Sequence, residues 1–314
     1  MTSTASLASI APDRAAMLMR RATYASVVVA SVLILAKLFA WLATGSVSVL
    51  SSLLDSLLDI AASIVNLIAV RHAVTPADRE HRFGHGKAEP LAGLGQSAFI
   101  AGSAAFLAVE ALHRLFNPEP VEHSTIGIVV MLVSIVVAVG LVRYQRSVVA
   151  QTGSLAIGAD ELHYRGDIIL NGSVIVSLVL SDTLGWRFVD PLFGAALAVW
   201  IVWSAWQITR MSLTQLMDRE IPDADRARIR AIAQSHDEVR AVHDLRTRAA
   251  GPTAFVQLHI EMDGDMSLAH AHEVSDEVEA KIHAVFPNAE IIIHQDPAGI
   301  EEPRQSFPPA RKQA

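Results

Sequence analysis

Cysteine is absent from the 314-residue chain, and charged residues are scarce. Without cysteine the protein can form no disulfide and no thiolate metal site, so any transition-metal site must be built from His, Asp and Glu. Only 18% of the residues are charged, and the formal net charge is −7. Because no basic domain stands out, the charge distribution argues against a nucleic-acid partner.

Hydrophobic residues, by contrast, are abundant: they make up 52% of the chain, and the mean hydropathy is +0.37. Apolar runs long enough to cross a hydrocarbon core of about 30 Å recur along the first two thirds of the chain. There are six of them, at residues 17–43, 46–71, 90–116, 121–146, 154–181 and 186–211. Because backbone hydrogen bonds must close within lipid and no barrel-like alternation occurs, this pattern predicts an all-α bundle of six transmembrane helices.

After residue 211 charged residues recur regularly, and no run long enough to span a membrane remains. The pattern there predicts a helix, two strands, a second helix and a third strand, at 221–236, 241–250, 253–262, 268–286 and 289–296. In the strand 253–262, even-numbered apolar residues alternate with polar ones, which indicates one buried face. The order α-β-β-α-β predicts a small α+β domain with helices on one sheet face.

These patterns predict a four-part chain with a defined orientation. The predicted parts are a disordered lead-in rather than a signal peptide, a transmembrane domain, a soluble domain and a disordered tail, at 1–16, 17–211, 212–300 and 301–314. Basic residues cluster before the first run, between the second and third, and between the fourth and fifth. Since such clusters favour the cytoplasmic side, we expect both termini in the cytoplasm.

Two acidic residues, Asp55 and Asp59, lie well inside the second apolar run, where water is scarce. Their spacing places both carboxylates on one helix face, and His163 and Asp167 have the same spacing in the fifth run. An intramembrane Asp costs about 2.5–3.5 kcal/mol on insertion scales, so such a pair indicates a function. If the two faces meet, three carboxylates and an imidazole converge, which suits tetrahedral Zn²⁺ or a similar divalent cation.

Two roles without a metal remain open for these acidic residues. The carboxylates could lie at helix ends near water, or they could pair with Lys37 of the first run, although one lysine cannot balance three aspartates. Asp160 and Asn171 lie on roughly the same helix face as His163. We expect Asn171 to support the ligands from the side and Asp160 to lie toward the cytoplasmic mouth of the bundle.

Several segments together resemble the cation diffusion facilitator family, and within it the bacterial zinc/proton antiporters of the ferrous-iron-efflux type. The matching segments are KLFAWLATGSVSVLSSLLDSLLD, PADREHRFGHGKAE, ADELHYRGD, HDLRTRAAGP and IIIHQDP. The resemblance covers nearly the whole chain, from about residue 17 to residue 297. It implies a homodimeric, multi-pass protein of the bacterial inner membrane that works as a secondary active transporter rather than an enzyme, exporting divalent metal in exchange for protons.

The resemblance also implies three metal sites and one charge pair. The implied transport site consists of Asp55, Asp59, His163 and Asp167. A second implied site, in the cytoplasmic loop, consists of Asp78, His81 and His85. The implied third site is a binuclear zinc site near the dimer interface, in a metallochaperone-like cytoplasmic domain, made of His243, His259, His272, His294 and Asp296. Lys87 and Asp218 match a charge pair that locks the subunits near the membrane surface.

The spacing of these residues supports the implied sites to different degrees. D-x-x-H-x-x-x-H at 78–85 is compatible with metal binding, but polar loops commonly carry one or two histidines. His259 lies on the polar face of its predicted strand, and His294 and Asp296 share one strand face. The remaining histidines are expected to face solvent or an interface: His72, His113, His123, His236, His270 and His283.

In this family an Asp-Asp-His-Asp set favours Zn²⁺ as the transported ion, and Cd²⁺ and Fe²⁺ are also expected. The resemblance further implies that Zn²⁺ has a structural or regulatory role in the protein. Because ligands must lose protons to bind metal, protons are the expected counter-ion, and His163, an imidazole with an ordinary pKa of about 6.5, is the natural carrier. A metal-gated channel and a metal receptor without proton-coupled pumping remain alternatives. An intramembrane hydrolase would need an open metal position and a general base, which this ligand set does not offer.

Overall fold

The computed structural model describes residues 10–45, 47–116, 125–184 and 189–300. The predicted tail, most of the predicted lead-in and the side chain of Asp55 lie outside this description. The first helix begins at Pro12, inside the predicted lead-in, and Ala15 is fully buried, so residues 12–16 are helical rather than disordered. Proline at the first helical position and an acidic residue in the first turn, here Asp13, both favour a helix start there.

Six long helices form the first part of the chain. They are α1 (Pro12–Thr44), α2 (Val47–Ala73), α3 (Ala88–Phe116), α4 (Thr125–Thr152), α5 (Leu155–Leu184) and α6 (Val189–Leu216). Even the shortest, α2 with 27 residues, is about 40 Å long at 1.5 Å per residue, which exceeds the hydrocarbon thickness of a bilayer.

Within the described residues, four of these helices are apolar enough over a sufficient length to cross a membrane. The four segments are Pro12–Ala43, Ala88–His113, Ile128–Thr152 and Pro191–Leu216, in α1, α3, α4 and α6. The two other helices, α2 and α5, carry the four residues of the predicted transport site. The prediction of six spans therefore stays a prediction for α2 and α5.

Packing in this helical bundle buries small residues and exposes large apolar ones. Ala22, Ala104 and Ala159 are at most 1% exposed, whereas Phe39 is 69% and Phe106 is 73% exposed. Small residues at helix contacts and large apolar residues on the outside are typical of membrane bundles, in which lipid covers the outer surface. The main helix pairs are α3 with α6, α1 with α2, and α4 with both α5 and α1.

The soluble part follows the predicted order α-β-β-α-β, which is confirmed. Its elements are α7 (Asp223–Gln234), β1 (Ala241–Ala250), β2 (Thr253–Met262), α8 (Leu268–Val285) and β3 (Ala289–Pro297). The three strands form one sheet in the order β1-β2-β3. Strand β2 is antiparallel to β1 and parallel to β3, with α8 as the connection between the parallel strands.

The core of the soluble part lies on one face of the sheet, as the alternation in β2 predicted. Val256, Leu258 and Ile260 of β2 are at most 1% exposed and pack with residues from both helices. Those helix residues include Ile229 of α7 and Val278 of α8, both fully buried. Because both helices cover this face, the opposite face of β2 remains open for polar side chains.

The loop between α2 and α3 packs against the soluble part. The rings of Phe83 and Phe255 are 5.7 Å apart, and the guanidinium of Arg248 lies 4.4 Å from the centre of the Phe255 ring. Behind this contact, Gly86 lies so close to the main chain of Ala250 that a Cβ there would overlap the carbonyl oxygen. Since α6 also continues into α7 through residues 217–222, the soluble part contacts the bundle at two places.

Candidate metal centres

The candidate transport site forms where α2 and α5 come together. His163 of α5 places Nε2 3.0 Å from Oδ1 of Asp59 in α2 and 3.8 Å from Oδ2 of Asp167, one turn further along α5. The i,i+4 spacing puts His163 and Asp167 on one face of α5, and packing of α5 against α2 then brings in Asp59. The three side chains are partly buried, and one donor atom from each lies within 4.8 Å of the others.

A cavity of about 90 Å³ opens at this cluster. Asp59 and Asp167 line it together with Lys37 of α1, Tyr164 and Asn171. A single water needs roughly 10–15 Å³ on this measure, so the cavity has room for a metal ion with several waters. Asn171, expected to support the ligands, does line the cavity, and Lys37 donates to Ser56 Oγ at 2.6 Å.

Asp55, the fourth predicted ligand, belongs to α2, and its side chain lies outside what the structure describes. Its main chain is one helical turn before Asp59, on the same face of α2. The structure therefore brings together three of the four predicted ligands, and the position of the fourth carboxylate stays a prediction.

Asp160, expected toward the cytoplasmic mouth of the bundle, is only 1% exposed and so does not face open solvent. Its carboxylate accepts hydrogen bonds from Ser26 Oγ of α1 and from Gln145 Nε2 of α4, the second at 2.6 Å. The packing of α5 between α1 and α4 closes this position, which helix periodicity alone could not show. These bonds fix α5 to two other helices one turn before His163.

The second predicted site forms in the α2–α3 loop. Oδ2 of Asp78 lies 3.4 Å from Nε2 of His85, and Oδ1 lies 3.6 Å from Nδ1 of His81. The backbone N–H of His81 donates to the Asp78 carboxylate at 2.7 Å, and this bond, with a second from Glu80, holds the pKa of that carboxyl below its usual value. The loop thus presents an ionised carboxylate between two imidazoles.

The third candidate centre lies on the open face of the sheet. The strand register pairs His243 with His259 and His259 with His294, so one imidazole from each strand stands in a row across the sheet. In β1 the row comes just before an irregularity between His243 and Arg246, where Asp244 has a φ of 46°. The register, rather than spacing within any one strand, assembles this group.

Asp296 is the centre of this group, with only 7% of its side chain exposed. One of its oxygens lies 3.1 Å from His243 Nε2 and 2.9 Å from His259 Nδ1, and the other lies 3.1 Å from His294 Nε2. Imidazole nitrogens around a carboxylate are a donor set that binds Zn²⁺ readily. The side chain of His294 is 60% exposed, so this edge of the cluster faces outward.

Two residues near this centre differ from the sequence prediction. Glu261, not predicted as part of a site, places Oε1 3.2 Å from Nδ1 of His243; its position on the polar face of β2, next to His259, could have indicated it. His272, a predicted ligand, lies on α8 with its side chain 70% exposed, 3.6 Å from Asp276. The described chain does not bring His272 to the cluster, so its role stays a prediction.

The predicted charge pair connects the loop to the soluble part within one chain. Lys87 Nζ lies 3.0 Å from Oδ1 of Asp218, and both side chains are partly exposed. Partial burial raises the pKa of Asp218, but the hydrogen bond and charge of Lys87, with the charge of Arg248, outweigh this and lower the pKa overall. Whether the pair also locks two subunits together stays a prediction.

Comparison with known proteins matches both parts of the chain to one family. Residues 23–217 match the cation efflux transmembrane domain, and residues 221–298 match the cytoplasmic domain of cation efflux proteins. The chain belongs to the cation efflux, or cation diffusion facilitator, family. It is therefore a membrane protein that transports metal cations by efflux, not an enzyme, and homodimers are typical of this family.

Curated relatives in this family are similar over most of their length. The chain is 48% identical over 284 residues to the cation-efflux pump FieF of Shewanella oneidensis, covering 90% of this chain and 96% of that protein. It is 46% identical over 283 residues to FieF of Klebsiella pneumoniae, covering 90% and 94%. A solved structure of CzrB in its Zn form is 35% identical and covers 27% of this chain and 99% of that chain, with a TM-score of 0.26.

Proposed function

We propose that this cation efflux protein exports Zn²⁺ from the cytoplasm across the bacterial inner membrane by exchange for protons. One observation carries the proposal: His163 of α5 lies between Asp59 of α2 and Asp167 of α5, beside a cavity. A single ion held there bridges two separate helices. The proposed domains are the transmembrane domain at 17–211 and the cytoplasmic metal-binding domain at 212–300, with both termini in the cytoplasm.

Metal entry begins from the cytoplasmic side, with Asp55, Asp59, His163 and Asp167 as the transport ligands. A divalent ion displaces the protons that these groups hold, because ligands must be deprotonated to bind metal. The bound ion neutralises the clustered carboxylates, and the loaded pair of helices becomes less costly to enclose in the bundle. Lys37, on the cavity wall, adds a positive charge that disfavours a second cation.

Release follows from a change in which side of the membrane the site faces. When α2 and α5 open outward, external protons compete for His163 and the carboxylates, and the metal leaves. Protons then return inward on these same groups, so the inward proton gradient drives metal export. The bonds of Asp160 to Ser26 and Gln145 keep α5 in position relative to α1 and α4 during this exchange.

Zn²⁺ is the proposed ion because the described donor set combines one imidazole with two carboxylates. Such a mixed N/O set in near-tetrahedral arrangement suits Zn²⁺, whereas Mg²⁺ and Mn²⁺ favour oxygen-only sites. Cd²⁺ and Fe²⁺ are the expected secondary substrates. The cytoplasmic group around Asp296 is proposed as a regulatory zinc site of a homodimer, in which His243, His259 and His294 hold the metal and tighten the contact between subunits.

The function can be tested with purified protein reconstituted into liposomes that carry an imposed pH difference. We expect Zn²⁺ to accumulate against its own gradient on the side with the higher proton concentration, and protons to move in the opposite direction. A protonophore, which collapses the pH difference, should abolish the accumulation of Zn²⁺. Comparing Zn²⁺, Cd²⁺, Fe²⁺ and Mn²⁺ in the same vesicles should give the largest proton flux with Zn²⁺ and the smallest with Mn²⁺.

The same assay separates the alternatives. Zinc movement only down its own gradient, unaffected by the pH difference, would mean a channel and would contradict the proposal. Zinc binding without any movement would mean a receptor. In that second case the proposed zinc site at Asp296 would still stand, because it is proposed to bind metal outside the membrane.

A further inference from the structure

A fourth histidine lies beside the loop cluster of Asp78, His81 and His85. His72, in the last turn of α2, has its ring centre 4.5 Å from that of His85, with the ring planes inclined by 65°. The ring of His81 lies at the same distance of 4.5 Å from His85. The donor atoms of Asp78, His81 and His85 lie within 4.8 Å of one another, and a third imidazole, that of His72, lies next to His85 but outside this group.

These ring separations are close to those required by a shared metal ion. Two imidazoles bound to one tetrahedral zinc, with Zn–N distances of about 2.1 Å, have ring centres roughly 5 Å apart. The observed 4.5 Å between the ring centres of His72 and His85 is near this value, and the side chain of His72 must turn to bring a ring nitrogen to the other donors. His72 is exposed at the helix end, so its side chain has freedom to make that adjustment.

The burial of His85 fixes which of its ring nitrogens faces the cluster. Only 4% of its side chain is exposed. Nε2 lies 3.4 Å from Asp78, but Nδ1 is buried and has no hydrogen-bond partner among the residues that the structure describes. Because Nε2 is the nitrogen that faces Asp78, a metal shared with Asp78 would bind Nε2, so the position of this nitrogen, and not the unpartnered Nδ1, supports a ligand here.

A simpler role for His72 is that of a basic residue near a helix C-terminus, where positive charge is favourable. That role accounts for its position in the chain but not for its edge contact with a buried imidazole. Arg71, the neighbouring basic residue in the same turn, already supplies a positive charge there. The contact with His85 is what distinguishes His72.

We propose that His72 is a fourth ligand of the loop site, which then binds Zn²⁺ through three imidazoles and the carboxylate of Asp78. The inference rests on the loop site of the proposed function. Four protein ligands make a closed site, and closed sites hold zinc in place, whereas three-ligand sites leave a position open for exchange. Zinc here fastens the end of α2 to the loop, and through Phe83 to the cytoplasmic domain.

The test is zinc binding by the full-length protein in detergent, measured by competition with a chromophoric chelator. We expect His72→Gln to lower the affinity for one zinc ion per chain by more than about tenfold and to leave the affinity for the other ions unchanged. Loss of a residue that only supports a ligand can already lower metal affinity about tenfold. The same ion should leave several-fold faster in a chelator chase. His283→Gln, an exposed histidine of α8, is the matched control and should bind as the wild type does.

A double variant separates ligation from general packing. His85→Gln should remove the loop ion, and His72→Gln added to it should then change nothing further in binding. Wild-type binding by His72→Gln, an unchanged zinc count in His85→Gln, or equal losses at several ions would each overturn the proposal. Zinc uptake driven by a pH difference tests the transport function separately, so failure of the loop site and failure of the transport function are distinguishable.

Discussion

The carboxylate–histidine cluster in the helical bundle and the one on the sheet are made of the same residue types but are built differently. In the bundle, His163 and Asp167 come from one helix and Asp59 from another, so helix packing determines their distances. In the soluble part, His243, His259 and Asp296 stand on three neighbouring strands joined by backbone hydrogen bonds. One cluster depends on side chains from two separable elements, and the other on a continuous sheet.

This difference suits the two clusters to different tasks. Two helices can move relative to each other with little loss of backbone hydrogen bonding, because all their backbone bonds lie within each helix. Strands of one sheet cannot separate without breaking the bonds between them. A site that must bind and release an ion is therefore expected on helices, and a site that must hold an ion on strands. The following predictions test that contrast, from the largest expected effect to the smallest.

The largest effect is expected for Asp59→Asn, which removes the α2 ligand that the structure places next to His163. With a neutral amide in place of this carboxylate, zinc loses the α2 carboxylate that lies 3.0 Å from His163 and has only Asp55 left on that helix, so zinc-driven proton flux in liposomes should fall to the level of protein-free vesicles. Zinc binding at the sheet cluster should be unaffected. Asp237→Asn, an exposed change of the same chemistry in the soluble part, is the control and should transport normally. Undiminished flux in Asp59→Asn would contradict the site assignment.

The converse change, Asp296→Asn, should remove zinc binding at the sheet and leave the exchange of zinc for protons at the transport site intact. In the wild type, zinc at 100 times its dissociation constant should slow hydrogen exchange of the β1–β3 amides by about 100-fold, equivalent to about 2.7 kcal/mol. The variant should lose this protection, because the carboxylate shared by three histidines is gone. This protection is measured by hydrogen-exchange mass spectrometry of the full-length protein with and without zinc. If zinc protected the variant equally, the strand cluster would not be a metal site.

Gly86→Ala should disturb the contact between the loop and the soluble part. A Cβ at Gly86 would overlap the carbonyl oxygen of Ala250, so the loop must withdraw, at a cost of about 1–3 kcal/mol typical of overpacking. We expect the soluble part to unfold at a lower urea concentration. We also expect transport to depend less on zinc bound at the sheet cluster. Gly95→Ala, where a Cβ meets no atom within 4 Å, is the control. Equal behaviour of the two variants would show that the contact does not connect the clusters.

The smallest effect is expected at the pair of Lys87 and Asp218. Because the pKa of Asp218 is lowered in the folded protein, its contribution is present above its ordinary pKa of about 3.9 and is lost as the pH falls through the lowered value. Both side chains are 40% or more exposed, so solvent screening limits the contribution at neutral pH to less than about 1 kcal/mol. Lys87→Gln should therefore only slightly broaden the distribution of distances between the loop and the soluble part.

This broadening can be measured with paired spin labels, which the cysteine-free chain accepts at chosen positions. Labels at Glu80 and Asp237 report the loop and the soluble part. In the wild type, 1 M salt or a pH well below 4 should reproduce the distribution of Lys87→Gln, since the Debye length is about 3 Å at that salt concentration. A distribution insensitive to salt and pH would show that the aromatic contact alone holds the two parts together.

Local periodicity predicted much of this structure. The i,i+4 spacings indicated which faces of α2 and α5 carry Asp59, His163 and Asp167, and alternation in β2 indicated its buried face. These features depend only on the geometry of a single helix or strand, which the order of residues determines directly. For the same reason the element order of the soluble part could be predicted without knowledge of the strand pairing.

Features that depend on contacts between elements could not be predicted from spacing. The alignment of His243, His259 and His294 requires both the antiparallel and the parallel register of the sheet. The burial of Asp160 requires the packing of α5 against α1 and α4, and the contact of His72 with His85 requires the loop to fold back under α2. In each of these contacts, tertiary packing determines how far apart the residues lie, and local sequence patterns contain little information about tertiary packing.

The soluble part is attached to the bundle twice, by the connection of α6 to α7 and by the loop that carries Phe83 and Gly86. A body held at one point can swivel in every direction, but one held at two points can only tilt about the line that joins them. Any tilt of the sheet must therefore act as a lever on the ends of α2, α3 and α6. If metal at the sheet moves this part of the chain, the ends of α2, α3 and α6 are where we expect the movement to reach the bundle.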